Sequence, residues 1–142
     1  GTRDMSRWDD DYQRLKQARP ALSIVSCCDE ALLPTLLAGA DGVLVGLAGF
    51  APRLVVNMVH AALDENLVAA RAAQAQLAPL VKLIYDFGEP GGAAHQRMKV
   101  ARWLLGRFPS PHFRRPIRPL PAEAVAAIHT ALHELGSLDN CL

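Results

Sequence analysis

The sequence predicts an α/β fold, and three observations lead there. Two short apolar runs, Leu22 to Ser26 and Val43 to Leu47, read as buried strands. A helical segment, opened by Asp29 and stopped by Gly39, lies between them. Further helical segments precede the first run and follow the second, an alternation that belongs to parallel sheets. Two strands cannot make a covered parallel sheet alone. The chain therefore reads as part of a larger α/β domain, with a compact, mostly helical domain as the competing reading.

Residues 1–5 leave no room for a full strand. Ser6-Arg7-Trp8-Asp9 resembles a capping box with Asp in place of Glu. A helix follows from Trp8 to Ala18, with Trp8, Tyr12 and Leu15 on one face, and Pro20 ends it. The first strand, the helix from Asp29 through Leu37 and the second strand come next. After Pro52, Leu54, Val55, Met58, Val59, Ala62 and Leu63 recur at helical spacing. Asp64-Glu65-Asn66 is a turn. A longer helix runs from Leu67 to Tyr85, turning Ala70, Ala73, Leu77, Leu80, Val81 and Ile84 inward, with Pro79 as a point for a kink. Gly88 to Gly92 is a loop, and a helix from Ala93 to Leu105 stops at Gly106. Residues 107–121 hold five prolines and four arginines and read as an extended connector. The last helix runs from Ala122 to Leu135.

Bulk properties narrow the function classes. The 142 residues suffice for one domain and one core. With 51% hydrophobic and 20% charged residues, the chain is globular rather than disordered. A net charge of +1 gives no general electrostatic reason to expect a nucleic-acid partner. The strongly apolar runs, such as Val43 to Phe50, fall short of the ~18 residues that span a membrane, so no membrane partner is expected. No secretory signal pattern stands at the N-terminus. Three cysteines, an odd number, do not read as a disulfide framework, and the expectation is a reducing, cytoplasmic protein.

Several segments occur in a telling order. Gly1-Thr2-Arg3-Asp4 is followed by Ser26-Cys27-Cys28-Asp29, Leu32-Leu33-Pro34 and Gly39-Ala40-Asp41-Gly42-Val43. Then come Gly46-Leu47-Ala48-Gly49-Phe50-Ala51-Pro52, and later the segment Pro116 to Leu120. In this order they resemble the dihydrodipicolinate synthase and N-acetylneuraminate lyase family of class I aldolases. The implied fold is the C-terminal portion of a (β/α)8 TIM barrel plus a C-terminal helical region. Residues 1–63 would run from the end of strand six through helix eight, and residues 64–142 would pack on the barrel as the helical region. The resemblance implies a lyase acting on pyruvate or a related 2-keto acid through a Schiff base, without a cofactor. It also implies a homo-oligomer, dimer or tetramer, and a missing N-terminal half of the barrel as partner.

The position matching the family's Schiff-base lysine is Arg3. An imine needs a neutral primary amine, and a guanidinium stays protonated with no free lone pair. Arg3 can bind a keto-acid carboxylate through paired hydrogen bonds but cannot form the imine. The alternative function is therefore a catalytically inactive homologue that binds a small keto acid or serves as an oligomer subunit. Barrel sites lie at the C-terminal ends of strands. That places Ser26, Cys27 and Leu44 at the substrate, with Cys27 standing where the family has a glycine and the Leu44 carbonyl matching a position that faces the keto acid. Leu44 reads equally well as an ordinary core residue. Gly46 and Gly49 allow close backbone approach or simple loop flexibility.

Other candidates have bland readings. Cys27 and Cys28 are more often small buried hydrophobes than reactive thiols. His129 and His133 have a spacing that can hold a metal, with no third ligand evident, so no metal is expected. Lys99 reads as a surface lysine rather than a replacement nucleophile. Arg107, Arg114, Arg115 and Arg118 suit an acidic partner, but their proline-rich spacing favours packing over the barrel surface.

Overall fold

The computed structural model describes residues 4–49, 51–85 and 92–134. Helix α1 spans Met5–Ala18, strand β1 Val25–Ser26, helix α2 Leu32–Leu37 and strand β2 Gly42–Val43. Helices α3 (Pro52–Leu63), α4 (Leu67–Tyr85), α5 (Gly92–Leu104) and α6 (Ala122–Glu134) follow. The strands pair in parallel, Val25 opposite Gly42 and Ser26 opposite Val43. The α/β class expected from the sequence therefore holds, in a predominantly helical chain.

The strands are much shorter than the apolar runs that announced them. Residues 22–24 flank β1 without joining the ladder, and the second run leaves the sheet at Leu44 and turns into a 3-10 segment, Gly46–Gly49. Nor are the strands buried on both faces. Val25 is 50% exposed and Leu44 74% exposed. An apolar run signals a covered strand only when neighbours exist to cover it.

Local chemistry explains the helix ends. Asp4, not Ser6, caps α1, its Oδ1 accepting from the N–H groups of Ser6 at 3.0 Å and Arg7 at 3.2 Å. The capping box expected at Ser6 lies inside the helix. Arg19 closes the helix with an N–H to the Leu15 carbonyl. Trp8 is buried and stacks on Tyr12, with ring centroids 5.1 Å apart. Gly39 follows α2 at φ +104°, a conformation that disfavours any side chain, and a Cβ there would overlap the Tyr12 hydroxyl. Asp29 is not a helix N-cap; it opens a 3-10 turn, Asp29–Ala31, that leads into α2.

The core joins α2, α3, α4, α5 and α6 through Leu32, Val55, Met58, Leu77, Leu80, Ile84, Ala101 and Ile128. On α4 the inward stripe is Ala70, Ala73, Leu77, Leu80, Leu83 and Ile84, while Val81 is only partly buried. Among the described residues, α4 is the one helix long and apolar enough to cross a membrane, with mean hydropathy 1.2 over its best window. The continuous apolar runs of the sequence had not flagged it. Its inward stripe, packed in the core, and its Arg71 and Lys82 describe a core helix.

Residues 107–121 do form an extended connector over α5. Lys99 donates to the His112 carbonyl and lies 5.5 and 4.7 Å from the ring centroids of Phe108 and Phe113. Gln96 donates to the Arg118 carbonyl. Lys99 is thus a half-buried clamp rather than a free surface lysine. The four connector arginines are all exposed, and the phenylalanines and carbonyls make the packing instead.

Candidate functional site

The two strands are pinned at both ends by carboxylates. At their N-terminal ends, Asp41 Oδ2 accepts from the Ile24 N–H at 2.7 Å and from Lys16 of α1 at 3.0 Å. These contacts hold the Asp41 carboxyl below its ordinary value, the Ile24 N–H more than the Lys16 ammonium. At the C-terminal ends, the Leu44 N–H donates to the Ser26 carbonyl at 2.8 Å. Beyond it, buried Asp29 accepts from the Leu47 N–H at 2.7 Å, the Gly46 N–H at 3.2 Å and the Tyr85 hydroxyl at 2.7 Å.

Ser26, Cys27 and Leu44 come together at these C-terminal ends. Ser26 is fully buried, and its Oγ accepts a long hydrogen bond, 3.5 Å, from the Cys28 N–H. Cys27 is exposed and lines a groove of about 320 Å³ between α1 and β1, beside Trp8, Tyr12, Leu15 and Val25. Leu44 is no core residue, because its side chain stands in the open. Arg3 lies outside the described residues.

The two cysteines differ. Cys28 is buried, and burial, followed by the nearby Glu30 carboxylate, raises its thiol pKa. A thiol held protonated is a poor nucleophile, so Cys28 is a packing residue. At Gly46 a Cβ would sit 2.6 Å from Met98 Cε, so the flexible end of the Met98 side chain would have to shift to admit one. A Cβ at Gly49 would meet nothing within 4 Å, and the Gly49 carbonyl accepts from Arg102. His129 and His133 are exposed on α6, and the described residues contain no cluster of three His, Cys, Asp or Glu suited to a metal.

Sequence reasoning did not single out Asp29 as the anchor of the strand-end loop, or Tyr85 as its partner. A single acidic residue before an apolar run reads as a helix cap, and that local reading absorbed the signal. Buried Arg97 was also missed; it donates to the Ile84 carbonyl at 2.9 Å in the last turn of α4, where a cation complements the helix dipole.

The model of the dihydrodipicolinate synthetase family matches residues 1–135. The 4-hydroxy-tetrahydrodipicolinate synthase of Neisseria gonorrhoeae is 36% identical over 126 residues, 87% of this chain and 40% of that protein. The dihydrodipicolinate synthase structure of Thermotoga maritima superposes with a TM-score of 0.81 at 27% identity, over 94% of this chain and 43% of that one. A prophage protein of E. coli K12 from the dihydrodipicolinic acid synthase family, solved in complex with pyruvate, also gives 0.81, at 26% identity, over 94% and 44% of the two chains. The chain spans about 40% of the length of the curated relatives it matches. By sequence and by fold it belongs to the dihydrodipicolinate synthetase family.

Proposed function

We propose that the chain is the C-terminal portion of a barrel lyase that binds pyruvate or a related 2-keto acid. Residues 1–63 contribute the end of strand six through helix eight, and residues 64–142 form the helical region. The remaining barrel strands come from a missing partner segment. In a family whose E. coli K12 member was solved with pyruvate, the observation that carries the reading is a meeting of groups. Ser26, Cys27 and Leu44 sit at the C-terminal ends of two parallel strands, tied by the Leu44–Ser26 hydrogen bond. Pyruvate presents a carboxylate and a ketone. Arg3, which matches the position of the family's Schiff-base lysine, can bind the carboxylate through its guanidinium, with the Leu44 carbonyl and the Ser26–Cys27 backbone as the other substrate contacts.

Covalent chemistry separates an active lyase from a binding homologue. A class I aldolase step begins when a lysine amine adds to the ketone; water leaves and an imine forms. Arg3 cannot supply that amine, which favours the second reading: a catalytically inactive homologue that binds the keto acid or serves as a subunit of a dimer or tetramer. The test is borohydride reduction in the presence of pyruvate, with the rest of the barrel supplied and intact mass as readout. The unsubstituted protein is expected to take up no adduct, and Arg3→Lys to gain one pyruvate-derived adduct. An adduct in the unsubstituted protein, mapped to Lys99 or another lysine, would show that the site lies elsewhere.

A further inference from the structure

Asp29 is a buried carboxylate, 6% exposed, on which three segments of the chain converge. One oxygen accepts from the Leu47 N–H; the other accepts from the Gly46 N–H and the Tyr85 hydroxyl. A carboxylate out of water is tolerated only where donors replace its hydration, and here two backbone N–H groups and a phenol do so. The loop leaving β2 is thereby held at both ends. The Leu44 N–H is bound to the Ser26 carbonyl on one side, and Gly46 and Leu47 are bound to Asp29 on the other. Only Leu44 and Val45 lie on that fixed span. Met98 and the Tyr85 hydroxyl face Gly46, at 2.6 Å and 3.4 Å from where a Cβ on it would stand. Tyr85 is the last residue of α4. The helical region thereby reaches the Asp29 carboxylate at the strand ends through the Tyr85 hydroxyl.

We propose that Asp29 and Tyr85 are positioning residues. They set the backbone of Leu44 and Val45 at the mouth of the barrel, so the C-terminal helical region shapes the 2-keto acid pocket without touching its ligand. The proposal rests on the keto-acid reading above. It makes Asp29 and Tyr85 one unit: losing Asp29 removes the acceptor that holds the loop, and losing the Tyr85 hydroxyl leaves that acceptor unsupported on one side.

The test uses the protein with the remainder of the barrel present. Pyruvate affinity is measured by calorimetry, thermal midpoint by melting, and the Gly46 and Leu47 amides by hydrogen exchange. Tyr85→Phe removes one hydroxyl and keeps the ring. Asp29→Asn keeps the shape but replaces an accepting oxygen with an NH2 group. Tyr85→Phe is expected to weaken pyruvate about 3- to 10-fold, and Asp29→Asn at least as much, with faster exchange at both amides. The double variant should be no worse than Asp29→Asn alone, because the effects share one cause. Leu132→Ala, in the α6 core, supplies the comparison. If it weakens pyruvate as much as Tyr85→Phe at an equal loss of thermal midpoint, the effect is general destabilisation and positioning is refuted. If Asp29→Asn prevents folding, Tyr85→Phe carries the test alone. Unchanged affinity in Tyr85→Phe, with the unsubstituted protein binding pyruvate, overturns the positioning role and leaves the keto-acid reading standing. No pyruvate binding by the unsubstituted protein overturns that reading and the role with it. Fast exchange at Gly46 and Leu47 in the unsubstituted protein refutes the clasp itself, whatever pyruvate does.

Discussion

Asp41 shows how one short side chain can join three segments. Its carboxylate accepts from the backbone at the start of β1 and from Lys16 on α1, while its own N–H donates to the Ile24 carbonyl. The bonds to the carboxylate favour its ionised form, so its pKa in the folded chain lies below the ordinary 3.8. The sign follows from linkage. A depressed carboxyl pKa contributes stability that is complete above the unfolded value and is lost as pH falls through the folded one. Asp41→Asn should therefore lower the denaturation midpoint at about pH 7, and the gap from the unsubstituted protein should narrow as the pH drops below about 4. Denaturant titrations across that range check this; a gap that widens in acid contradicts it. Neither Asp41's role nor that of Asp29 was legible in the sequence. The partners of Asp29 lie 17, 18 and 56 residues away, so no local pattern announces them. Asp4 was missed differently: Ser6 and Asp4 are both good caps two residues apart, and the chain uses the earlier one.

Among the elements, helices were legible in place and extent, strands in place only. A helix writes its buried face into its own sequence at every third or fourth residue, so α3 and α4 could be placed before any contact was known. A strand is completed by its neighbours. The runs at residues 22–26 and 43–47 correctly marked two parallel strands, but the ladder extends only over Val25–Ser26 and Gly42–Val43. The α4 stripe can be tested as an element. Leu77 is fully buried among core side chains, and Leu77→Ala should cost about 2–5 kcal/mol by lost contacts and the cavity left behind. Val68, on the same helix and 83% exposed, should change stability by less than ~0.5 kcal/mol when replaced by Ala. Chemical denaturation of the two variants reads the difference. Equal effects would mean that α4 is not oriented as described.

At the scale of the molecule, the sheet has two strands among the described residues, and its surroundings are apolar and open. Leu15, Leu22, Val25 and Leu44 are exposed around it, and the groove between α1 and β1 runs along the same side. An unpaired strand edge with apolar neighbours invites another polypeptide. The chain matches about 40% of its relatives' length. The 142 residues alone should therefore self-associate, and sedimentation should show species heavier than the monomer. Val25→Lys with Leu44→Lys places two ammonium groups on the open face, where charge opposes edge pairing, and should raise the monomer fraction. The same pair of substitutions should prevent assembly with the partner segment proposed above, because that segment would have to bury the charges. A stable, well-dispersed monomer of the unsubstituted chain, with slow amide exchange along β1 and β2, would mean that the face needs no cover and that the barrel reading is wrong.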